Sequence, residues 1–528
     1  MSTMTKDTQR ENPISPWMDF ARQQLLALAL FVCCAFTPSC SAQEQFESIR
    51  TSILSQMQQR NAPSIAVAVA QGGHILWEQG FGWADREKHI PADANTMYSL
   101  ASISKPLTAT ALMTLVAAGK IDLDKPVNDY LGDAKIRARI GNVDNATVRR
   151  VANHTSGLPE HAQFFYRNES LRPPSFNETI LRFGNLVTAP GEQYQYSNLG
   201  YGVLNNIISR VSGRSFPDYM RQEVFLKLGM KRSAVGNDTP LAQYEAIRYD
   251  GEEATPIVYY DTDHPGASEI YSSAHDLALF GMFSLKAHLP SQSAILPDAL
   301  IDAMQKPSIF FNPGAGYGIG WQSDTRNGIT IVSHSGGMPG VSTWLRLVPA
   351  QNLVIVVLSN SDDQLAHIIA DQITLKLVPN WKLSPPDAPE PAFIPPPDLV
   401  GKWNGTVQTY RSSTPFHLEI SSSGEIRVNL GNQFRTTLDQ VSFQNGTLYG
   451  MFKGEIDLPE ATRRPYVLSV NLKLRDGKVL NGGITARSTG TGTMLAYNVS
   501  SPGQTTPQSI RVEKGAFVLT QWVELRKQ

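Results

Sequence analysis

Cysteine is nearly absent from this 528-residue chain: Cys33, Cys34 and Cys40 are the only three, all in or beside one N-terminal apolar run. With no thiol after residue 40, a disulfide framework, a cysteine nucleophile and zinc–thiolate sites are excluded. No H-E-x-x-H histidine pair occurs either, and neither a metal nor an organic cofactor is expected. Charge of one sign is also lacking. Lys and Arg number 46 against 47 Asp and Glu, a net −1, so nothing indicates a nucleic-acid partner or a polybasic membrane surface. There is no G-x-S-x-G elbow, which argues against a conventional α/β-hydrolase. What remains is the composition of a globular protein, 41% hydrophobic and 18% charged, long enough for two or three domains.

The N-terminus has the layout of an export signal. Lys6, Arg10 and Arg22 precede Leu25–Phe36, an apolar run of 12 residues, too short to span a bilayer but suited to a signal core. Cleavage near Ser41 or Ala42 makes 1–42 the leader and leaves a mature chain with no transmembrane helix, periplasmic or secreted. In the alternative, Cys40 is a lipidated first residue, although Thr37 and Pro38 make a poor lipobox.

Periodicity then lays out the chain. Phe46, Ile49, Ile53 and Met57 predict an amphipathic helix over 44–60. Two strands, 64–70 and 74–82, turn at Gly72-Gly73. A helix follows Ser102 and ends near Gly119. From 120 to 300 the pattern is mostly helical with long loops, including helices at 199–211, closed by Gly213, and 272–285, with Asp276 in its first turns. Strands return at 329–334, 341–349 and 353–359. Strands at both ends of a helical middle predict an α+β domain over 43–383 whose single sheet is built from both ends. Prolines crowd 384–398, a stiff spacer. Beyond it, 399–528 alternates as strands, with turns at Asn445-Gly446 and Asp476-Gly477, and is expected to form a small β-barrel or sandwich.

Within this frame Ser102-Ile103-Ser104-Lys105 stands out. Three residues along a helix bring a hydroxyl and an amine to one face. Serine needs a base to become a nucleophile, and a desolvated lysine can be one. An ordinary N-cap serine is the bland alternative. Tyr196-Ser197-Asn198 precedes the 199–211 helix, so Tyr196 can carry a second proton and Asn198 can grip a substrate carbonyl. A competing Y-x-N, Tyr166-Arg167-Asn168, lies in what reads as a polar loop, and packing is preferred for Tyr166. His334-Ser335-Gly336-Gly337 ends a strand, where two glycines let substrate lie close and the Gly337 N–H can face an oxyanion. His334 is expected to be a partly charged donor.

In this order, S-x-x-K, Y-x-N and a basic residue with S-G resemble the penicillin-recognising serine hydrolases. The resemblance is to the class C β-lactamase family with its D-peptidases and family VIII-type carboxylesterases. His154-Thr155-Ser156-Gly157-Leu158-Pro159, Gly316–Trp321 and Ser272–Leu277 add to it, over roughly 45–375. The resemblance implies a β-lactamase/transpeptidase-like fold, an antiparallel sheet with flanking helices beside an all-helical subdomain. It also implies Ser102 as nucleophile, Lys105 and Tyr196 as its proton partners, and Asn198, His334 and Ser335–Gly337 around substrate. The N–H groups of Ser102 and Gly337 would form the oxyanion hole. Class C β-lactamases carry lysine where His334 stands, which shifts the expectation toward a peptidase or amidase on unusual or D-residue-containing peptides. Length and architecture further resemble peptidases that cut linearised cyclic peptides such as linear microcystin. An esterase is second, a β-lactamase third, and a silent peptide-binding protein is the reading from a different class. The partner is thus a peptide or small-molecule substrate, with oligomeric state open. Trp403, in Gly-Lys-Trp-Asn-Gly, resembles the first-strand tryptophan of lipocalin-like barrels and is expected to plug the core of the β-domain.

Overall fold

The computed structural model describes residues 38–252, 254–383, 392–489, 493–497, 507–511 and 515–528. The apolar run 25–36 and most of the proline spacer lie outside them. A helix spans Pro38–Arg60, starting earlier than the expected 44. Among the described residues no helix is long and apolar enough to cross a membrane.

From Ser52 onward the chain forms one compact unit. Its first sheet is antiparallel and is assembled from both ends of the region before the spacer, as the strand pattern predicted. The strands run in the order Ile309–Asn312, Ala315–Tyr317, Gln322–Arg326, Ile329–Met338, Val341–Val348, Leu353–Ser359, Ser64–Gln71, His74–Asp85, Ile90–Pro91. The join pairs Ile65 with Ser359 and Gln71 with Leu353. Ser64–Gln71 is central and buried on both faces, which explains its run of Ala, Val and Ile. Against the sheet and beside it pack the helices Ser104–Ala117, Asn198–Ser212, Ala274–Ser284 and Leu365–Leu377. Local caps set their ends. Ser197 accepts from the Gly200 N–H at one helix start, and Gly213, at φ 72°, closes the same helix in the left-handed region.

The second sheet is a nearly closed, barrel-like antiparallel array. Its order is Thr436–Thr437, Ile426–Leu430, Ser413–Ile420, Gly401–Gln408, Phe517–Lys527, Val479–Ser488, Tyr466–Arg475, Thr447–Phe452, Asp439–Gln444. Asn445-Gly446 and Asp476-Gly477 turn its hairpins with positive φ at all four positions. Trp403 is fully buried in its core and donates its indole N–H to Leu399 O at 2.8 Å.

The largest departure from expectation is His161–Tyr166. The segment around Tyr166 read as a polar loop, yet His161–Tyr166 is a wholly buried strand. It pairs on one side with the terminal strand, Phe517 opposite Gln163 and Leu519 opposite His161. On the other side it pairs with Tyr260–Thr262. The region before the spacer and the β-domain therefore meet through a shared strand, not merely through the spacer. Tyr166 itself is buried, as packing predicted.

Removing the tryptophan plug tests the barrel core. Trp403→Ala is expected to cost about 3–5 kcal/mol, read as a lowered urea midpoint of the β-sheet circular dichroism signal.

Candidate active site

Ser102 sits on a single 3-10 turn, Ala101–Ile103, and the helix Ser104–Ala117 begins directly after it. Ala101 takes φ 47°, a left-handed conformation that costs an alanine about 1–2 kcal/mol. Tertiary packing holds the turn. Thr343 Oγ1 donates to Leu100 O at 2.9 Å, and a Cβ placed on Gly336 would lie 2.1 Å from the same oxygen. Gly336 is therefore glycine because the neighbouring strand presses against the serine turn. Gly337, by contrast, faces open space, with nothing within 4 Å of an added Cβ.

Lys105 is completely buried one turn from Ser102. Its Nζ lies 3.0 Å from Ser102 Oγ, 2.8 Å from Asn198 Oδ1 and 3.2 Å from Ala267 O. An ammonium there donates to all three. As a free amine it keeps two N–H groups on the pure acceptors, Asn198 Oδ1 and Ala267 O, and its lone pair faces the Ser102 hydroxyl. Burial pushes its pKa well below 10.5, toward that free amine. Tyr196 donates its phenol O–H to Ser102 Oγ at 2.9 Å, and Lys105 Nζ lies 4.6 Å from the Tyr196 ring centre. Ser102 is half-buried, within reach of a substrate.

The Asn198 amide oxygen accepts from Lys105 Nζ, so this side chain helps to hold the amine. One expected residue behaves differently from its sequence reading. His334 is not a partly charged donor. Burial first, then the nearby Lys105, pushes its pKa down to about 3. Its ring nitrogens are both occupied: Nδ1 lies 2.7 Å from Ser335 O and Nε2 2.9 Å from Tyr317 OH. A carbonyl only accepts, so Nδ1 carries the hydrogen and Nε2 accepts from the Tyr317 phenol. By strand alternation Ser335 and Gly337 share the face opposite His334 and Gly336.

Tyr317 and His154 had no role from sequence, although both lie in segments noted for their resemblance. His154 takes φ 62°, a left-handed conformation, and its ring packs on that of Tyr196. Its carbonyl accepts from the Gln195 N–H at 2.7 Å, its Nδ1 accepts from the Ser197 N–H at 3.1 Å, and its ring centre is 4.4 Å from that of Tyr196. It clamps the tyrosine from both sides.

A sheet-and-helix fold with a buried lysine, a serine and a tyrosine converging at one oxygen defines a β-lactamase-fold serine hydrolase. The chain belongs to the Beta-lactamase family, whose profile matches residues 49–377. It is 29% identical over 355 residues to penicillin-binding protein 4* of Bacillus subtilis (strain 168), covering 61% of this chain and 73% of that one. The crystal structure of SurE with D-Leu superposes at a TM-score of 0.60 and 18% identity, covering 83% of this chain and 97% of SurE. EstCE1, a hydrolase with promiscuous acyltransferase activity, matches at a TM-score of 0.53 and 20% identity, covering 63% of this chain and 99% of its own.

Two outcomes are expected. As pH falls below about 6.5, unfolded chains take up a proton at His334 that the folded ring refuses until about 3. Stability thus falls across that window, by about 1.4 kcal/mol per pH unit, and His334→Gln flattens the slope seen by urea unfolding at stepped pH. His154→Asn, which tolerates left-handed φ and retains an acceptor, should label at Ser102 with a fluorophosphonate within about tenfold of the parent, and His154→Leu about 100-fold more slowly.

Proposed function

We propose that this protein is a serine peptidase or amidase that works through an acyl-enzyme, favouring unusual or D-residue-containing peptides, linearised cyclic peptides among them. The observation that carries this is the convergence of Lys105 Nζ and Tyr196 OH on Ser102 Oγ. Lys105, as the free amine, accepts the Ser102 proton while Oγ attacks the scissile carbonyl. The oxyanion gathers hydrogen bonds from the N–H groups of Ser102 and Gly337, each worth about 10²–10³ in rate. The C–N bond breaks as the leaving amine takes a proton passed through Tyr196. Water then attacks the ester, gives up its proton along the same path, and frees Ser102.

Two features support amide over β-lactam. A β-lactam carboxylate would meet a neutral His334 instead of the fixed ammonium class C β-lactamases have there. The β-domain adds a second body beside the hydrolase region, an arrangement that SurE, solved with D-Leu, matches over 83% of this chain. We also place the leader at 1–42, the hydrolase domain at 43–383, the spacer at 384–398 and the β-domain at 399–528, with the mature protein outside the cytoplasm.

Purified protein assayed on D- and L-peptides, p-nitrophenyl esters and nitrocefin should rank peptides first; nitrocefin turned over faster than every peptide would overturn the substrate assignment. Ser102→Ala and Lys105→Ala should each lower turnover by at least about 10³-fold, and rates within about tenfold of the parent would reject the mechanism. Tyr196→Phe should lose far more than Tyr166→Phe. His334→Lys should raise nitrocefin hydrolysis relative to peptide hydrolysis.

A further inference from the structure

Lys105 has two acceptors that hold its amine in line with Ser102, and one of them is a backbone carbonyl, Ala267 O. That carbonyl belongs to a single helical turn, Pro265–Ser268. The turn is capped by His264, whose carbonyl accepts from the Ala267 N–H at 2.9 Å. Four residues supply too few internal hydrogen bonds to be rigid alone. Thr108 Oγ1 donates to Gly266 O at 2.7 Å and the Gly266 N–H donates to Asn205 Oδ1 at 3.0 Å, which ties the middle of the turn. At its start, the His264 N–H donates to Thr262 Oγ1 at 3.3 Å, and the His264 ring is held by the carboxylate next door.

Asp263 is fully buried and uses both oxygens. Oδ1 lies 2.7 Å from His264 Nδ1, while Oδ2 lies 2.7 Å from His161 Nε2 and 2.8 Å from Gln163 Nε2. His161 and Gln163 stand two apart on the shared strand, so they point to the same side and reach one oxygen together. That strand pairs with the terminal strand, and Arg463 of the β-domain clasps it by donating to Phe164 O at 2.9 Å and Ala516 O at 3.2 Å. The ligand-type atoms of His161, Asp263 and His264 lie within 4.8 Å of one another, near enough for one metal ion. Each is hydrogen-bonded to another member of the set, and all three residues are sealed from solvent, so they brace one another.

We propose that Asp263 is a positioning residue for Lys105: through His264 it sets the Ala267 carbonyl that aims the amine at Ser102, and through His161 and Gln163 it ties that aim to the β-domain. The proposal rests on Lys105 being the base of Ser102. It gives the β-domain a part in the chemistry that is independent of binding substrate. A carbonyl displaced by about 1 Å can cost on the order of 100-fold in rate without altering the substrate cleft.

The test uses the full-length protein and a fluorophosphonate, whose saturating labelling rate and half-saturating concentration are read separately. Asp263→Asn should lower the saturating rate about 10- to 100-fold and leave the half-saturating concentration unchanged. His264→Ala should do the same, whereas His264→Asn, whose amide N–H can replace Nδ1–H on Asp263, should recover to within a few-fold. Arg463→Ala should fall between these and the parent. Should Asp263→Asn fail to fold, the two His264 variants decide alone. Parent-like labelling of folded Asp263→Asn or His264→Ala overturns the proposal, as does His264→Asn labelling as slowly as His264→Ala. Lys105→Ala, run alongside, separates the outcomes: if it labels normally, the base assignment has failed; if it is silent while Asp263→Asn labels normally, only the brace has.

Discussion

A lysine amine buried among neutral hydrogen-bond acceptors is the constraint around which the site is built. Desolvation makes the ammonium costly, so the amine tends to its neutral form, and a neutral amine has a lone pair to offer. That is useful only if the lone pair points at Ser102. Asn198 Oδ1 and Ala267 O accomplish this by occupying the two N–H groups. Each acceptor is delivered by a different element, one the start of the helix Asn198–Ser212 and the other the short turn Pro265–Ser268. The packing of those elements on the helix Ser104–Ala117 thus sets where the Lys105 amine stands relative to Ser102 Oγ.

The same low-dielectric surroundings decide the state of His334. A histidine at a strand end in water would be partly charged near neutral pH. Here it is shut in, near Lys105, with its acceptor nitrogen held by Tyr317. Burial above all, with Lys105 nearby, keeps the imidazole neutral. The strand that presses on the serine turn therefore carries no charge at His334.

The β-domain is attached by more than a tether. Glu160, one residue before the shared strand, pairs with Arg487 at 2.8 Å and accepts through its carbonyl from Thr520 Oγ1 at 2.9 Å. Arg475 grips Glu192 with two hydrogen bonds of 2.9 and 2.8 Å, in the segment that leads into Tyr196 and Asn198. Planar, two-pronged pairs of this kind fix orientation as well as proximity. The seam runs close to the His154–Pro159 segment that clamps Tyr196.

Local chemistry was legible in the amino-acid order. The three-residue spacing of Ser102 and Lys105 determined that they share a face, apolar β-type runs marked five of the nine strands of the first sheet, alternation marked the β-domain as strands, and Gly213, Asn445-Gly446 and Asp476-Gly477 determined their turns, because each depends on neighbours within a few residues. Long-range partners were not. Ala267 reaches Lys105 across 162 positions, Phe517 meets Gln163 across most of the chain, and Tyr317 meets the His334 ring from another strand. The strand His161–Tyr166 looked like a loop because its pairing partners are remote in sequence. Which lysine hydrogen faces which oxygen, and whether a histidine carries charge, are set by burial and by contacts that exist only once the chain has closed on itself; those the tertiary structure alone decided.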